Sequence, residues 1–443
     1  MSKPRIAKKR SLELKNKMRP ATVEREHAKP LPKGSLRENV LWLTTLQFLN
    51  YLLPLVTVPY LIRVLGTGQY GILSFAVTIS QYLVVFTDYG FNLSATREIA
   101  LVRESRGKLE ETVSAVLAVK GVLLLLSSSF LLLFVEFVPK YHPYAVILIL
   151  AFLNVIGSVA FPVWLFQGLQ DMRLVTVLTA AGRLICTGAI FLTVHSSRNL
   201  ALATLWSVSG FPIAGFIAWF VIRKRYRLTL RRPSIQTLKE TIRSGFHVFV
   251  SSVMSNALIN GSVLVMGFAA PFAVVGGYAA VEKIAKAGAM GFAPLTQALY
   301  PRAAEHFTRD HRHGRSFVLR TGSLVLMLAL AASLAIAIGA KWILLLFYGH
   351  AFVQYTWIVR VLAIWLFLGV LNNILGIQYL LGSGRYRAYS ICFTISTVAT
   401  FIMLILLIHW NPFLGASLSV TLGEGILTAL MTGVILTRSQ NRL

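Results

Sequence analysis

The chain has 443 residues, of which 56% are hydrophobic and only 13% are charged, and its mean hydropathy is +0.68. Soluble domains carry about 25% charged residues, so these values exclude an ordinary soluble protein. The apolar residues come in long blocks, such as Val113–Val135, Leu324–Ala340 and Ser390–Ile408. Only helices and closed barrels satisfy their backbone in lipid, and the short alternating segments of barrel strands do not appear. The sequence therefore predicts an all-α polytopic membrane protein.

Twelve blocks are long enough to cross a bilayer as helices, which takes about 20 mostly apolar residues. These predicted spans, M1 to M12, are 40–62, 70–91, 113–135, 144–167, 173–194, 200–222, 246–269, 276–298, 317–340, 355–381, 387–408 and 413–436. Of the 43 Lys and Arg residues, 34 fall on one side of the spans, four on the other and five within them. Such an excess marks the cytoplasmic side. Both termini are therefore expected in the cytoplasm, and the net charge of +27 reflects topology rather than nucleic-acid binding.

The first part of the chain combines a basic tail with an interrupted span. Residues 1–37 are polar and basic, which predicts a disordered cytoplasmic tail near anionic lipid headgroups. M1 contains Pro54 and Pro59, which remove helix hydrogen bonds. The following segment, 66–71, matches the G-x-G-x-x-G pattern of dinucleotide sites, but it follows a membrane span rather than a strand. A tight turn between M1 and M2 is favoured instead, and no cofactor is expected.

The most basic loop, Arg223–Gly245, separates two sets of six spans. Its end, Ser234–Ser244, has one apolar and one charged face, which predicts an interfacial amphipathic helix that ends at Gly245 as a C-cap. The predicted organisation is a tail at 1–37, a first lobe at 38–222, a linker at 223–245, and a second lobe with a short tail at 246–443.

The two halves resemble each other at three places. The matching pairs are Leu36-Arg37-Glu38 with Leu238-Lys239-Glu240, Gly68-Gln69-Tyr70-Gly71 with Gly276-Gly277-Tyr278-Ala279, and Gly168 to Arg173 with Gly382 to Arg387. Because six spans per half is an even number, both halves enter the membrane from the same side. This predicts a parallel repeat, related by an axis along the membrane normal.

M8 carries Glu282, Lys283 and Lys286 inside an otherwise apolar span. Each ionisable group near the bilayer centre costs roughly 2.5–3.5 kcal/mol on insertion scales. At the helical repeat of about 3.6 residues per turn, the three charges fall in one sector about 100° wide, and Ala279, Ala289 and Ala293 lie in or beside it. This stripe predicts one wall of a polar cavity within the membrane.

Five cations lie within the spans, and a central cationic cavity is predicted from them: Lys120, Arg183, Lys283, Lys286 and Arg360. Such a cavity suits a pyrophosphate, because Arg binds phosphate bidentately and Lys acts as a point charge. Pairing with a neighbouring residue or snorkelling to an interface remains open for each cation. Three acids, Asp88, Glu282 and Glu424, are predicted to pair with these cations or to couple a proton. Glu282 and Lys286 are four residues apart and share a helix face.

Other polar clusters carry weaker signals. The three histidines His306, His311 and His313 lie in Arg302–Arg320, which is expected to be a solvated cytoplasmic loop, so no metal site is predicted. The remaining polar pairs in the spans, Asn256 with Asn260 and Asn372 with Asn373, either bond to other helices or touch sugar hydroxyls, and their pattern does not separate these hypotheses.

Several short segments resemble the polysaccharide flippases of the multidrug/oligosaccharidyl-lipid/polysaccharide exporter superfamily. They are Val64-Leu65-Gly66 with Tyr70-Gly71, Asp88-Tyr89-Gly90-Phe91 with Thr96-Arg97, and Phe166-Gln167-Gly168-Leu169. They lie around M1, M2 and M4, where the family carries them, and the twelve-span plan covers 38–438. The first half matches more recognisably than the second, and the basic tail is longer than is usual for the family.

The resemblance implies a V-shaped, non-enzymatic transporter with two six-helix lobes around a central cavity, in the bacterial cytoplasmic (inner) membrane. Its substrate would be an undecaprenyl-pyrophosphate-linked oligosaccharide of the O-antigen or exopolysaccharide type, flipped to the outer leaflet. Membrane lipid, a coupling ion (H+ or Na+) and the polysaccharide polymerase machinery are the further partners that it suggests.

Four alternatives remain, one of which is an accessory membrane protein without transport activity. A lipid II flippase usually has fourteen spans, a drug/cation antiporter would prefer acids in its cavity, and a membrane enzyme acting on lipid-linked sugars would need a substantial outer loop. The predicted outer connections are short.

Overall fold

The structure, a computed structural model, describes residues 36–440, and these are almost entirely helical, with no strand among them. Ten helical segments have the length and hydropathy of membrane spans. The first, Leu52–Val102, crosses twice because Gly66, at φ 78°, breaks the helix between M1 and M2. M8 falls outside the ten because it carries three charges. The described chain therefore has the predicted twelve crossings, while most of the predicted tail lies outside the described residues.

The helices follow the predicted spans closely. M1 and M2 form Leu36–Asp88, and the next spans are M3 at Arg106–Phe137, M4 at Ala145–Ala151, Leu153–Ala160 and Val163–Gly168, M5 at Met172–Thr193, and M6 at Leu200–Val208, Gly210–Val221 and the π-helical Ile222–Tyr226. The second half contains M7 at Ile235–Ala269, M8 at Phe272–Met290, M9 at His311–Tyr348, M10 at Thr356–Asn372 and the π-helical Asn373–Leu381, M11 at Tyr386–Ile408, and M12 at Pro412–Gln440. Shorter helices connect them at Phe91–Val102, Pro139–Tyr144, Ser197–Asn199, Ala293–Arg309 and His350–Tyr355.

Three sequence predictions about the second half are wrong in detail. Gly245 does not end the amphipathic helix, because M7 runs without a break from Ile235 to Ala269. Gly245 is buried there, and a Cβ on it would lie 2.6 Å from the carbonyl oxygen of Tyr89, so it is needed for close packing. M8 ends at Met290 rather than at 298, and most of the predicted loop 302–320 is helical.

The linker before M7 is held against M3 by two acidic side chains. Glu110 forms an ion pair with Arg231 at 2.9 Å and accepts a hydrogen bond from the backbone N–H of Thr229 at 3.2 Å. Its neighbour Glu111 accepts one from the Thr237 hydroxyl at 2.7 Å. Ser234 caps M7 by accepting from the Thr237 N–H at 3.1 Å. The linker is therefore fixed to the first half at one end and continuous with M7 at the other.

The two halves pack through the repeated glycine motifs. A Cβ on Gly71 in M2 would overlap the carbonyl oxygen of Phe272 in M8, and a Cβ on Gly276 would overlap that of Thr67. Because only glycine permits this backbone approach, M2 and M8 meet directly at this end of the bundle, which we call the Arg63 end. The motifs that the sequence analysis matched as a repeat therefore contact each other across the two halves.

Two cations at the Arg63 end also join the halves. Lys140, before M4, donates to the carbonyl oxygens of Gly267 and Phe268 at 3.0 and 2.8 Å, at the last turn of M7. Arg63 donates to the carbonyl oxygen of Leu346 in M9 at 2.8 Å. At the opposite end, Tyr89 stacks on Phe249 with ring centroids 5.0 Å apart.

Candidate functional site

A cavity of about 390 Å³ lies within the helix bundle. It is lined by residues of M1, M2, M4, M5 and M6 from the first half and of M7 and M8 from the second. Its volume is within the usual range of small-molecule sites, about 300–1,000 Å³. The predicted central cavity is therefore present, and most of its wall comes from the first half of the chain.

Three of the five predicted cations line this cavity: Arg183 on M5, and Lys283 and Lys286 on M8. The Lys286 ammonium lies 2.9 Å from a carboxylate oxygen of Glu282 and donates to the carbonyl oxygen of Ile259 on M7 at 2.6 Å. Both side chains of the pair are largely buried, while Lys283 is exposed. The pairing predicted from the i,i+4 spacing is confirmed, and the described lining contains a net excess of positive charge.

Lys120 does not line the cavity, which corrects its predicted placement. It is 2% exposed, and its ammonium donates to a carboxylate oxygen of Asp88 at 3.0 Å. The other oxygen of Asp88 accepts from the N–H of Asn92 at 3.4 Å, at the start of the helix Phe91–Val102. Asp88 and Lys120 thus join the end of M2 to M3 as a buried ion pair.

Replacing Asp88 with Ala is expected to destabilise the protein strongly, because it leaves Lys120 buried and uncompensated. Breaking a buried ion pair from one side costs about 3–5 kcal/mol, whereas replacing both partners is often tolerated. The Asp88→Asn, Lys120→Met double variant should therefore recover most of the lost stability. Thermal unfolding of the detergent-purified protein measures both effects, and equal melting temperatures for the two variants would contradict the pairing argument.

Arg360 and Glu424 also lie away from the described cavity lining. Arg360 on M10 is exposed and donates to the carbonyl oxygen of Ala337 on M9 at 3.3 Å. Glu424 on M12 accepts from the Asn372 amide on M10 at 2.6 Å, and the oxygen of that amide accepts from the Thr428 hydroxyl at 2.8 Å. The predicted pairing of Glu424 with a cation is replaced by a hydrogen bond between helices.

The uncharged part of the cavity wall was largely missed by the sequence analysis. M1, M2, M4 and M6 contribute amides and an indole, namely Asn50, Gln81, Asn154 and Trp206. Asn154 donates to the Ser80 hydroxyl at 3.1 Å, while Asn260 of M7 lines the cavity and donates to Asn256 at 2.8 Å. These residues could have been noticed in the sequence as single polar residues within apolar spans. Their pattern along the chain does not show which of them line the same cavity.

The histidine segment forms a helix junction. Asp310 caps M9 by accepting from the N–H groups of Arg312 and His313, and the His313 Nδ1 lies 2.8 Å from its carboxylate. This hydrogen bond holds the pKa of the Asp310 carboxyl below its usual value. Within 36–440, no group of three or more His, Cys, Asp or Glu residues is placed to hold a metal ion.

A protein-family model and a curated relative match this chain in sequence. The model of a family described as "Polysaccharide biosynthesis protein" matches residues 36–307. A "Putative O-antigen transporter" of Escherichia coli strain K12 is 29% identical over 399 residues, which cover 90% of this chain and 96% of that protein.

Solved structures with the same fold are transporters whose sequence identity to this chain is low. The lipid II flippase MurJ, in an inward closed conformation, aligns with a TM-score of 0.71 at 12% identity, over 89% of this chain and 87% of that one. An inward-facing multidrug resistance MATE family transporter of the MOP superfamily aligns with a TM-score of 0.68 at 16% identity, over 90% of this chain and 98% of that one. These likenesses show the twelve-helix fold of that superfamily.

Proposed function

The chain belongs to the polysaccharide biosynthesis protein family, and from this premise we propose that it flips an undecaprenyl-pyrophosphate-linked oligosaccharide repeat unit from the inner to the outer leaflet of the bacterial cytoplasmic membrane. It is a multi-pass membrane protein of the flippase and transporter class. The substrate, the direction and the coupling to H+ or Na+ belong to the proposal.

The observation that carries this proposal is the charge of the cavity. Arg183, Lys283 and Lys286 line it, while Glu282 is the only carboxylate among its described lining residues. A pyrophosphate offers oxygens to several cations at once, and charge-assisted hydrogen bonds to phosphate are roughly twice as strong as neutral ones. A cavity with this net positive charge would repel the cationic substrates of a drug antiporter.

Lys286 would exchange partners when the substrate enters. In the structure its ammonium is held by Glu282 and by the Ile259 carbonyl. Pyrophosphate oxygens would compete for the ammonium, and Glu282 would then take a proton. Since a ligand shifts two states only by its differential affinity for them, this exchange would couple substrate binding to proton movement and to motion between the lobes 38–222 and 246–443, which the linker 223–245 joins.

Deletion of the gene tests the proposed function. Surface polysaccharide should disappear while its lipid-linked precursor accumulates on the inner leaflet, and the chain supplied in trans should restore delivery. Loss of viability with accumulation of lipid II would instead support a lipid II flippase. Normal surface polysaccharide in a strain without a redundant flippase would contradict the assignment.

The proposed topology places both termini in the cytoplasm. In a chain whose Cys186 and Cys392 are replaced, single cysteines at Ser197 and Gly349 should react with an impermeant thiol reagent added to intact cells. Cysteines at Ser105 and Ser316 should react only after the cells are permeabilised. All four sites lie at or near the ends of spans, and labelling of the Ser316→Cys variant in intact cells would overturn this orientation.

A further inference from the structure

M7 belongs to the second half by the sequence repeat, but the structure packs it against the first half at both of its ends. At the end opposite Arg63, a Cβ on Gly90 would lie 2.8 Å from both the carbonyl oxygen of Gly245 and the backbone nitrogen of Phe249. Tyr89 stacks on the Phe249 ring, with centroids 5.0 Å apart. The approach at Gly90 is between backbone atoms, which cannot rotate away as side chains can.

The other end of M7 is fixed to the same half of the chain. The carbonyl oxygen of Gly267 accepts hydrogen bonds from the Lys140 ammonium at 3.0 Å and from the Tyr141 hydroxyl at 3.2 Å. A Cβ on Gly267 would overlap the Phe75 ring of M2. Gly245 and Gly267 are about 33 Å apart at the helical rise of about 1.5 Å per residue. A helix held at two points so far apart cannot tilt independently of the helices that hold it.

The linker is fixed to M3 rather than free to act as a joint. Arg231 forms an ion pair with Glu110 at 2.9 Å, and its backbone N–H donates to the Ser114 hydroxyl oxygen at 2.9 Å. The helix of M7 begins within the linker, at Ile235, and continues without a break. M3, the linker and M7 therefore form one packed unit.

Two contacts of M7 with the second half are made by the ends of flexible side chains. The Lys286 ammonium of M8 donates to the Ile259 carbonyl oxygen at 2.6 Å. On M11, the tip of the Phe401 ring is what a Cβ on Gly261 would meet, at 2.7 Å. Both contacts lie within one turn of M7, beside the cavity-lining Asn260. A change of side-chain rotamer is enough to break either of them.

The connection from M7 to M8 has the properties of a hinge. Ala270 and Pro271 are the two residues between the helices, and both have an extended backbone, with ψ of 162° and 145°. Hinge motions are absorbed by a few residues in loops or at the ends of helices, which is where these two residues lie.

We propose that M7 and the linker move with M1–M6, so that transport changes the backbone at Ala270 and Pro271 rather than in the linker. Lys286 then makes the polar contact across the boundary, because its ammonium joins M8 to the Ile259 carbonyl of M7. A pyrophosphate that takes this ammonium releases M8 from M7 and lets M8–M12 move. The inference rests on the proposed function and moves the end of the first lobe from residue 222 to residue 269.

Distances between spin labels on the full-length protein in nanodiscs test this inference. In a chain whose Cys186 and Cys392 are replaced, cysteines are introduced in pairs at three exposed positions, as Ser105→Cys before M3, His247→Cys on M7 and Arg320→Cys on M9. On addition of undecaprenyl pyrophosphate, the distance from 105 to 247 should stay unchanged. The distances from 320 to 105 and to 247 should shift together.

Two variants of neighbouring cations on M8 separate the contact with M7 from the charge of the cavity. Lys286→Met removes the bond to Ile259, so the shifted distances should already be populated without the probe. Lys283→Met is the matched control, because Lys283 also lines the cavity but makes no hydrogen bond to M7 within 36–440. Its distances without the probe should equal those of the wild type, and a shift of equal size in both variants would contradict the role of the Ile259 contact.

Cross-linking tests the same boundary without an added ligand. The rings of Phe134 on M3 and Phe268 on M7 have centroids 6.2 Å apart. A short reducible thiol cross-linker between Phe134→Cys and Phe268→Cys should leave transport intact. Between Gly261→Cys and Phe401→Cys, which joins M7 to M11, it should stop transport until the link is reduced. Each single cysteine variant, treated with the same reagent, is the control.

The remaining outcomes overturn the inference. A shift between 105 and 247 with none between 247 and 320, or loss of transport on joining M3 to M7, would place M7 in the second lobe and leave the proposed function intact. If undecaprenyl pyrophosphate shifts none of the distances, release of the Lys286 contact does not drive the motion. Failure of the proposed function itself is recognised separately, by normal surface polysaccharide in the deletion strain.

Discussion

Replacing Lys286 with Met is expected to abolish transport in a protein that still inserts, although it leaves the buried Glu282 without its partner and so also lowers the melting temperature. Lys286 lies in the cavity, and its ammonium is held by the Glu282 carboxylate at 2.9 Å and the Ile259 carbonyl oxygen at 2.6 Å. Losing one partner of a buried charged hydrogen bond costs about 2–5 kcal/mol, so substrate affinity should fall by roughly 30-fold or more. Delivery of surface polysaccharide, at protein levels matched by immunoblot, measures the loss.

The double replacement of Glu282 and Lys286 separates the proposed mechanism from a merely structural ion pair. A structural pair tolerates neutralisation of both partners, so Glu282→Gln with Lys286→Met would then transport normally, and that result would falsify the mechanism. We expect the double variant to be inactive. The pair Asp88 and Lys120 is the control, because it is also buried but lies outside the cavity, and its double replacement should preserve transport.

Glu282→Gln alone should have a different phenotype. The cation that meets the pyrophosphate remains, so substrate binding is expected to persist. The side-chain amide of a glutamine at this position cannot take up the proton that we propose Glu282 accepts when Lys286 binds the pyrophosphate. The dependence of transport on pH should therefore change. A Glu282→Gln variant with the wild-type pH profile would remove Glu282 from the coupling step.

Replacing Gly71 with Ala is expected to cause a large loss of stability at the Arg63 end. The added Cβ would overlap the backbone oxygen of Phe272 and lie 2.9 Å from the N–H nitrogen of Gly276. Overpacking of this kind costs about 1–3 kcal/mol or more, and backbone atoms cannot rotate away as a side chain can. M2 and M8 would separate, lowering both the melting temperature and transport.

Gly68 supplies the matched control for this prediction. It lies in the same glycine-rich segment, but a Cβ there would meet nothing within 4 Å. Gly68→Ala should therefore melt and transport like the wild type, while Gly276→Ala, which would overlap the Thr67 oxygen, should behave like Gly71→Ala. Equal behaviour of the Gly68 and Gly71 variants would show that the close approach of M2 and M8 is not what these glycines provide.

The spans and the cavity charge on M8 could be predicted from the sequence because both depend on neighbours along one helix. An apolar block of sufficient length has to cross the membrane, and Glu282 and Lys286 have to share a face at a spacing of four. The turn at Gly66 also follows from local composition, since glycine adopts its φ of 78° without strain.

What each helix face contacts was decided only by the tertiary structure. Lys120, Arg183 and Arg360 are all cations within apolar spans, yet Arg183 lines the cavity, Lys120 pairs with Asp88, and Arg360 bonds to the Ala337 carbonyl. The repeat that matches 68–71 with 276–279 could be recognised in the sequence, but the sequence does not show that Gly71 and Gly276 of these two segments pack against each other. Helical periodicity shows which side chains share a face of one helix. What that face contacts is determined by packing between segments that lie far apart in the chain.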